Sequence, residues 1–317
     1  MTPPRPRLSF IVPAYNRAGM IARALRSVLD QAGPEVEVVV ADDASTDSTA
    51  EAVLGLGDPR VTLVRLPRNV GVCGARNAAI DRARGDWLAM LDSDFEMLPG
   101  GVGRLLALCD AAPDDVGNVA TTCRWDRGPD TPQPMPDTDL LLDFAGYCTF
   151  LEGLGVSEWF NCYRRAVFAG VRYPGGRAYE GGFHLAAARR WRFQLVRDPV
   201  VLIHTDADNR ITASAPDKLA ARMLRDAPDG AADAEAVLAE HGDLMAARAP
   251  GLWALYATQA MTQHLLAGHR LDALWWWSRT PKKRRWAPRT LGFVALGMMG
   301  PGALATVQTR VSAWRRR

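Results

Sequence analysis

The chain has 317 residues, of which 48% are apolar and 23% are charged, with a formal net charge of +3 at pH 7. This composition supports a sizeable buried core in one or two domains. The five cysteines lack Cys-x-x-Cys pairing, which excludes an evident zinc-finger pattern and argues against a disulfide framework. Because no apolar segment of a signal peptide is visible near the N-terminus, we expect a cytoplasmic protein with reduced thiols.

The first third of the chain alternates apolar strands with polar turns and helical patterns. Strands are predicted at residues 8–12, 36–40, 61–66 and 87–91. Helical stripes follow the first strand at Ile21, Leu25, Val28 and Leu29, and a glycine-bearing loop at 69–74 leads into another helix. Strand, turn and helix recur about every 25 to 35 residues, which predicts a doubly wound α/β sheet.

Two acids one residue apart, Asp92 and Asp94, end the strand predicted at 87–91. Ligands bind at the carboxyl ends of strands in open α/β sheets, and two carboxylates there would repel unless a cation joined them. Two carboxylates suit Mg²⁺ or Mn²⁺, whose other positions hold water and substrate phosphates. A lone Asp-x-Asp more often caps a turn or helix, but this triplet closes a series of strand-end motifs.

The motifs follow one another as Pro-Ala-Tyr-Asn at 13–16, Asp-Asp-Ala-Ser-Thr-Asp-Ser-Thr at 42–49, Gly-x-x-x-Ala-Arg-Asn at 71–77 and Asp-Ser-Asp at 92–94. This order resembles the family 2 glycosyltransferases of the GT-A fold, closely over residues 8–97 and more loosely to about residue 205. The resemblance implies a GT-A catalytic domain at residues 1–210, Rossmann-like with a mostly parallel sheet flanked by helices. A helical C-terminal region is expected at 211–317, where strand signals cease.

The resemblance implies that the first two strand ends contact the base and ribose of a nucleotide sugar. These positions are Pro13, Ala14, Tyr15, Asn16, Asp42 and Asp43. The alternative is an ordinary turn at 13–16 and helix capping by the aspartates. Arg76, at a helix start, is the candidate for the diphosphate, and its alternative is a solvated helical arginine.

The resemblance also assigns the metal and the remaining donor contacts. Asp94 is expected to bind Mn²⁺ or Mg²⁺ directly, while Asp92 contacts the ribose or reaches the metal through water. Ser93 is counted with the nucleotide-sugar contacts. His204, which ends the apolar run 200–203, is a further candidate for the metal or diphosphate, although a lone histidine is more often structural.

For the general base, the family usually has Glu-Asp before a helix, whereas this chain has Glu180-Gly181. In one alignment Gly181 replaces the usual aspartate, and in the other Tyr179 precedes Glu180 at the base position. Glu180 is the only carboxylate in the segment under either alignment, so it is the candidate for deprotonating the acceptor. The alternative is an acid placed in a first helical turn by the macrodipole.

The C-terminal 48 residues carry a net charge of +10, against −7 for the rest of the chain. Basic clusters at 282–285 and 315–317 bracket an apolar stretch at 291–307, with Trp275–Trp277 and Trp286 just before it. This composition favours a segment at an anionic membrane surface, and the alternative is helices packed on the catalytic domain. A nucleic-acid partner is not expected, since the upstream residues would present negative charge to phosphate.

We therefore expect metal-dependent, inverting transfer of a sugar, UDP-linked, to a hydroxyl of a glycan or lipid-linked acceptor in envelope-glycan synthesis. The protein would be cytoplasmic and peripheral at the inner face of the plasma membrane. A sugar-phosphate nucleotidyltransferase is an alternative, but residues 13–17 lack its glycine-rich first loop. The other alternative is a catalytically silent nucleotide- or glycan-binding subunit. It is supported by the missing aspartate at Gly181, whereas the intact Asp92-Ser93-Asp94 argues against it.

Overall fold

The computed structural model describes residues 5–154, 158–175, 180–206 and 216–314, with the backbone alone at 216–218 and 310–314. These residues group into two compact units. The first holds Met1–Gly176 and Phe183–Ala207, and the second holds Arg177–Gly182 and Asp208–Arg317. The domain boundary predicted near residue 210 lies outside the described residues.

The first unit is built on a mixed β-sheet. Its described strands are β1 (Leu8–Ala14), β2 (Val36–Asp42), β3 (Val61–Arg65), β4 (Trp87–Met90), β5 (Phe95–Met97), β6 (Val116–Trp125), β7 (Leu140–Leu142), β8 (Phe160–Arg164) and β9 (Arg192–Ile203). They run in the order β3-β2-β1-β4-β8-β6-β9-β5, with β7 paired to β9. β1 and β2 are buried along their whole length, as expected for near-continuous apolar strands covered on both faces.

Parallel pairing of β1 with β2 and β4, and of β2 with β3, sets the carboxyl ends of these strands at one edge. The predicted α/β GT-A-type architecture is confirmed. Beyond β4 the sheet becomes mixed, because β8 runs antiparallel to both β4 and β6. The helices of this part are α1 (Ile21–Leu29), α2 (Thr49–Leu54), α3 (Gly71–Arg82), α4 (Gly101–Ala111), α5 (Phe144–Gly153) and α6 (Gly181–Ala188).

The second unit is helical, as predicted for the C-terminal region. It contains α7 (Pro216–Arg248), α8 (Pro250–Ala267), α9 (Arg270–Arg279), α10 (Lys282–Arg285), α11 (Pro288–Met299) and α12 (Pro301–Trp314). Small and apolar residues of α7, α8 and α12, among them Ala227, Met261, Leu265 and Leu304, form its core.

The apolar stretch 291–307 is only partly buried, since Leu304 and Ala305 belong to this core while Leu291, Met298 and Met299 are exposed. Gly297 of α11 packs so closely on Leu265 that an added Cβ would lie 2.8 Å from the Leu265 Cβ. Trp275 and Trp286 are also exposed, as are the first three residues of α10. Among the described helices, none is both long enough and apolar enough to cross a membrane. The second basic cluster, at 315–317, lies outside the described residues.

Candidate active site at the strand ends

The loops that follow β1 and β2 are tied together by Asn16. Its backbone N–H donates to Ser45 Oγ at 2.9 Å, and its side-chain oxygen accepts from the Thr46 N–H at 2.8 Å. Asn16 has a φ of 54°, a left-handed conformation that asparagine tolerates better than most residues. Beside it, Tyr15 is 42% exposed, which leaves its ring accessible at this edge.

The two aspartates that end β2 and begin its turn have different partners. Asp42 Oδ1 accepts from the Ser45 N–H at 3.0 Å, which closes the turn. Asp43 is almost fully buried, and its two oxygens accept from the N–H groups of Val70 and Gly71 at 2.7 and 2.9 Å. These N–H groups stand at the start of α3, where the helix dipole favours an anion. Asp43 is therefore a helix cap, and its contact with a nucleotide stays a prediction.

Arg76 lies one turn into α3 and is 5% exposed, so the alternative of a solvated helical arginine is wrong. Its Nη2 donates to Asp92 Oδ1 at 2.6 Å, and its guanidinium carbon lies 5.5 Å from the centre of the Tyr173 ring. Asn77, the next residue of α3, holds the backbone of Tyr173 through its side-chain amide at 3.0 Å. Arg76 thus joins α3 to the Asp-Ser-Asp motif.

The Asp-Ser-Asp motif forms a turn between β4 and β5, closed by the Phe95 N–H donating to the Asp92 carbonyl at 2.9 Å. Ser93 is buried and its hydroxyl accepts from Arg17 Nε at 2.9 Å. Asp92 and Asp94 are half-buried, in alternation with buried neighbours. Two cations therefore hold the motif, Arg76 at Asp92 and Arg17 at Ser93, while its carboxylates remain partly accessible.

His204 follows β9, and its backbone N–H donates to the carbonyl of Asp94 at 3.0 Å. Its Nε2 lies 2.6 Å from Glu96 Oε2, and its Nδ1 lies 3.9 Å from Asp126 Oδ2. The N–H of Thr205 donates to Asp126, which lowers the pKa of that carboxyl. Sequence reasoning missed Glu96 and Asp126 as site residues. For Glu96 a signal was present, since it is the third acid at a spacing of two after Asp92 and Asp94.

The donor set fits a divalent cation that prefers oxygen ligands. Asp92 and Asp94 offer half-buried carboxylates at a ligand-binding edge, which suits Mg²⁺ or Mn²⁺ completed by water and phosphate. His204 does not join them in a compact group in this conformation. Within the described part of the chain, ligand atoms of three such residues come within 4.8 Å of one another only in the second unit.

Glu180 is half-buried directly before α6, in the segment that groups with the second unit. An added Cβ at the neighbouring Gly181 would lie 2.5 Å from the Tyr256 hydroxyl, so a side chain there would require the Tyr256 ring to shift. This contact disfavours an aspartate at Gly181 in the present packing. The alternative alignment through Tyr179 lies outside the described residues.

Comparison with known proteins points to one family. Residues 9–168 match the family model described as "Glycosyl transferase family 2". The chain is 49% identical over 116 residues to the succinoglycan biosynthesis protein ExoO of Rhizobium meliloti, covering 35% of this chain and 33% of that protein. It is 35% identical over 173 residues to the GalNAc(5)-diNAcBac-PP-undecaprenol beta-1,3-glucosyltransferase of Campylobacter jejuni, covering 53% of this chain and 55% of that protein. The matched segments thus span about a third to a half of these relatives.

Among solved structures, S. aureus TarS 1-349 in complex with UDP-GlcNAc superimposes with a TM-score of 0.58 at 19% identity. The superposition covers 92% of this chain and 90% of that one. At this level of identity the similarity shows a shared fold.

Proposed function

Because this chain belongs to glycosyl transferase family 2, we propose that it transfers a sugar from a UDP-linked donor to an acceptor hydroxyl during synthesis of a bacterial envelope glycan. The observation that carries the proposal is the strand-end cluster in which Arg76 and Arg17 hold the Asp-Ser-Asp motif. The names of the two relatives support an envelope glycan as the product, and the UDP-GlcNAc complex of TarS supports a UDP-linked sugar as the donor.

In this proposal, the base and ribose bind between Tyr15 and the turn after β2. The left-handed Asn16 and the Asp42 turn give this pocket wall a fixed backbone, so little ordering is required when the nucleotide binds. The half-exposed ring of Tyr15 provides an apolar face for the base. Asp43 acts here through α3, since its carboxylate fixes the start of that helix.

Asp94 and Asp92 are the residues that would hold Mn²⁺ or Mg²⁺, and such an ion supplies positive charge against the departing diphosphate. Arg76 orients Asp92, because its buried guanidinium donates a hydrogen bond to the Asp92 carboxylate at 2.6 Å. His204 would serve as a further ligand through Nδ1 while Nε2 stays on Glu96, or through Nε2 by exchanging Glu96 for the ion.

Glu180 is proposed as the general base that removes the proton from the acceptor hydroxyl. The support is its position as a half-buried carboxylate directly before α6. A base acting on the acceptor implies direct in-line displacement, with inversion at the anomeric carbon.

The acceptor is proposed to be lipid-linked, because the name of the Campylobacter jejuni relative gives a lipid-linked acceptor for that enzyme. The exposed cations of α10 and the exposed Trp275 and Trp286 support contact with an anionic membrane surface. Leu304 and Ala305 of the apolar stretch pack in the core of the second unit, so the proposed contact rests on α10, on Trp275 of α9 and on Trp286.

A catalytically silent binding subunit is the competing candidate, favoured by the glycine at 181, where one alignment to the family expects an aspartate. Titration calorimetry of UDP with Mn²⁺, together with a donor-hydrolysis assay, distinguishes the two. Asp94→Asn should weaken metal-dependent UDP binding at least tenfold, since a neutral amide is a poor ligand for a divalent ion. Asp114→Asn, an exposed aspartate away from the site, is the matched control.

Unchanged UDP affinity in Asp94→Asn would contradict the proposed metal role. Tight UDP binding by the wild-type protein without any donor hydrolysis or transfer would favour the silent subunit.

A further inference from the structure

A second cluster of potential metal ligands lies in the helical unit. His264, His269 and Asp272 each offer one ligand atom, and these atoms lie within 4.8 Å of one another. The proposed sugar transfer uses none of these three residues. His269 and Asp272 are three residues apart, about one helical turn, but His264 lies on the preceding helix, so the cluster depends on how the chain turns between α8 and α9.

The turn between α8 and α9 brings the three side chains together. α8 ends at Ala267, and Gly268 adopts a φ of 83°, which is the left-handed conformation of a helix C-cap. The His269 N–H then donates to the His264 carbonyl at 2.8 Å, and α9 begins at Arg270. The last turn of α8 therefore faces the first turn of α9, with the two imidazole centroids 5.7 Å apart.

The His264 ring is held in a defined orientation. Its Nε2 lies 2.8 Å from Glu235 Oε1, the same oxygen that accepts from Trp276 Nε1 at 2.8 Å. A carboxylate oxygen can only accept hydrogen bonds. In the contact with Glu235 the imidazole is therefore the donor, and Nε2 of His264 carries the proton. His264 is 7% exposed, and its buried Nδ1 has no hydrogen-bond partner among the described residues.

We propose that His264, His269 and Asp272 bind a borderline transition-metal ion of the Zn²⁺ class, with Glu235 orienting His264 from behind. Two imidazoles and one carboxylate match the three protein ligands of a four-coordinate site with one position left for water. A carboxylate on the far nitrogen of a metal-binding histidine fixes its tautomer and raises its basicity, which is the role that Glu235 has here. The oxygen-preferring Mg²⁺ is a poor match for imidazole ligands.

Ligand atoms around a tetrahedral ion with bonds of about 2.0–2.1 Å lie about 3.3 Å apart, so the present separation of up to 4.8 Å must close. His269 and Asp272 are both exposed and can rotate, whereas His264 is fixed. Closure would link the end of α8 to the start of α9 and, through Glu235, to α7. The ion would therefore act as a staple of the helical unit, because a ligand that binds only the folded state stabilises it.

The test uses the full-length protein, treated with chelator, in an Asp94→Asn background that removes the proposed strand-end metal site. Zn²⁺ titration calorimetry should show one equivalent of tight binding. Co²⁺ in place of Zn²⁺ should give the strong visible absorption of a tetrahedral site. His269→Ala and Asp272→Asn, both at exposed positions, should each lower the Zn²⁺ affinity at least tenfold, whereas Asp243→Asn, an exposed aspartate of α7, should not change it.

The variants should also lose the rise in melting temperature that Zn²⁺ gives to the parent protein, while their UDP binding, measured in the Asp94 wild-type background, stays unchanged. The proposal is overturned if the parent protein does not bind Zn²⁺. It is equally overturned if either His269→Ala or Asp272→Asn binds Zn²⁺ as the parent does. In that case the His264–Glu235 contact is a structural hydrogen bond.

Discussion

Asp43 offers a direct test of how the strand ends are built. Its buried carboxylate accepts two N–H groups at the start of α3, from Val70 and Gly71. Asp43→Ala removes both acceptors and the negative charge at the helix dipole. Loss of a cap costs about 0.5–2 kcal/mol, and loss of a favourable charge at a partly buried helix terminus costs about 0.3–2 kcal/mol. We expect Asp43→Ala to lower the free energy of unfolding by about 2–3 kcal/mol.

Asp43→Asn should lose less, about 1–2 kcal/mol, because one amide oxygen can still accept one of the two N–H groups. Its matched control is the adjacent Asp42→Asn. Asp42 accepts a single N–H, from Ser45, and its amide oxygen can keep that bond, so the control should stay within about 1 kcal/mol of the wild type.

Scanning calorimetry is suited to a chain with two units, since it resolves separate transitions. In a unit of about 200 residues, 1 kcal/mol corresponds to roughly 2–4 °C, so Asp43→Ala should lower the melting temperature of the first unit by about 4–12 °C. Equal melting temperatures for Asp43→Ala and the wild type would refute the capping argument, as would equal shifts for Asp43→Asn and Asp42→Asn. A loss of UDP affinity in a variant that remains folded would assign Asp43 a nucleotide contact in addition to its cap.

Three further outcomes are expected. Glu180→Gln should leave donor binding nearly intact while turnover falls about 10²- to 10⁴-fold, and turnover within a few-fold of the wild type would place the base elsewhere. Arg60 donates to Asp58 and lowers the pKa of the Asp58 carboxyl in the folded state. The stability that this contact provides is therefore present above the unfolded pKa of about 3.9, and it is lost as the pH falls through the lower pKa of the folded state. The gap in melting temperature between wild type and Asp58→Asn should therefore be constant from pH 7 to about pH 5 and close in more acidic solution, and a gap that widens there would contradict the assignment. Three cations of α10 are exposed, namely Lys282, Lys283 and Arg284. Replacing all three by serine should weaken binding to anionic vesicles about 10²-fold at low salt, since each charge contributes roughly 1 kcal/mol; co-sedimentation measures this.

The vesicle experiment keeps Arg285, because its Nε donates to the Thr280 carbonyl and its own carbonyl accepts from Trp277. Removing the whole C-terminal segment would instead disrupt the core to which Leu304 and Ala305 belong. A triple serine variant at Arg26, Arg82 and Arg127, exposed cations of the first unit, is the charge-matched control. Equal losses in both triple variants would indicate an effect of net charge rather than a membrane-binding face.

The candidate base is a position where sequence and structure each supply part of the explanation. The sequence has Gly181 after Glu180, where one of the two alignments to the family expects an aspartate. The structure shows what a side chain there would meet, since an added Cβ at Gly181 would lie 2.5 Å from the Tyr256 hydroxyl. Tyr256 belongs to α8, far along the chain, so this contact is invisible to any pattern of neighbouring residues.

The sequence by itself determined the βαβ series and the strand ends that carry polar motifs, because alternating apolar runs and turns are encoded by neighbouring residues. Only the tertiary structure decided how those motifs are used. Asp43 caps α3, 27 residues further along the chain, rather than the helix that follows it, and His204 meets Glu96 across 108 residues. In the helical unit, the left-handed Gly268 turns His264 toward Asp272. Local propensity fixes the elements, whereas the partner of a buried polar group depends on which elements pack together, and that packing leaves few buried polar groups without a hydrogen bond.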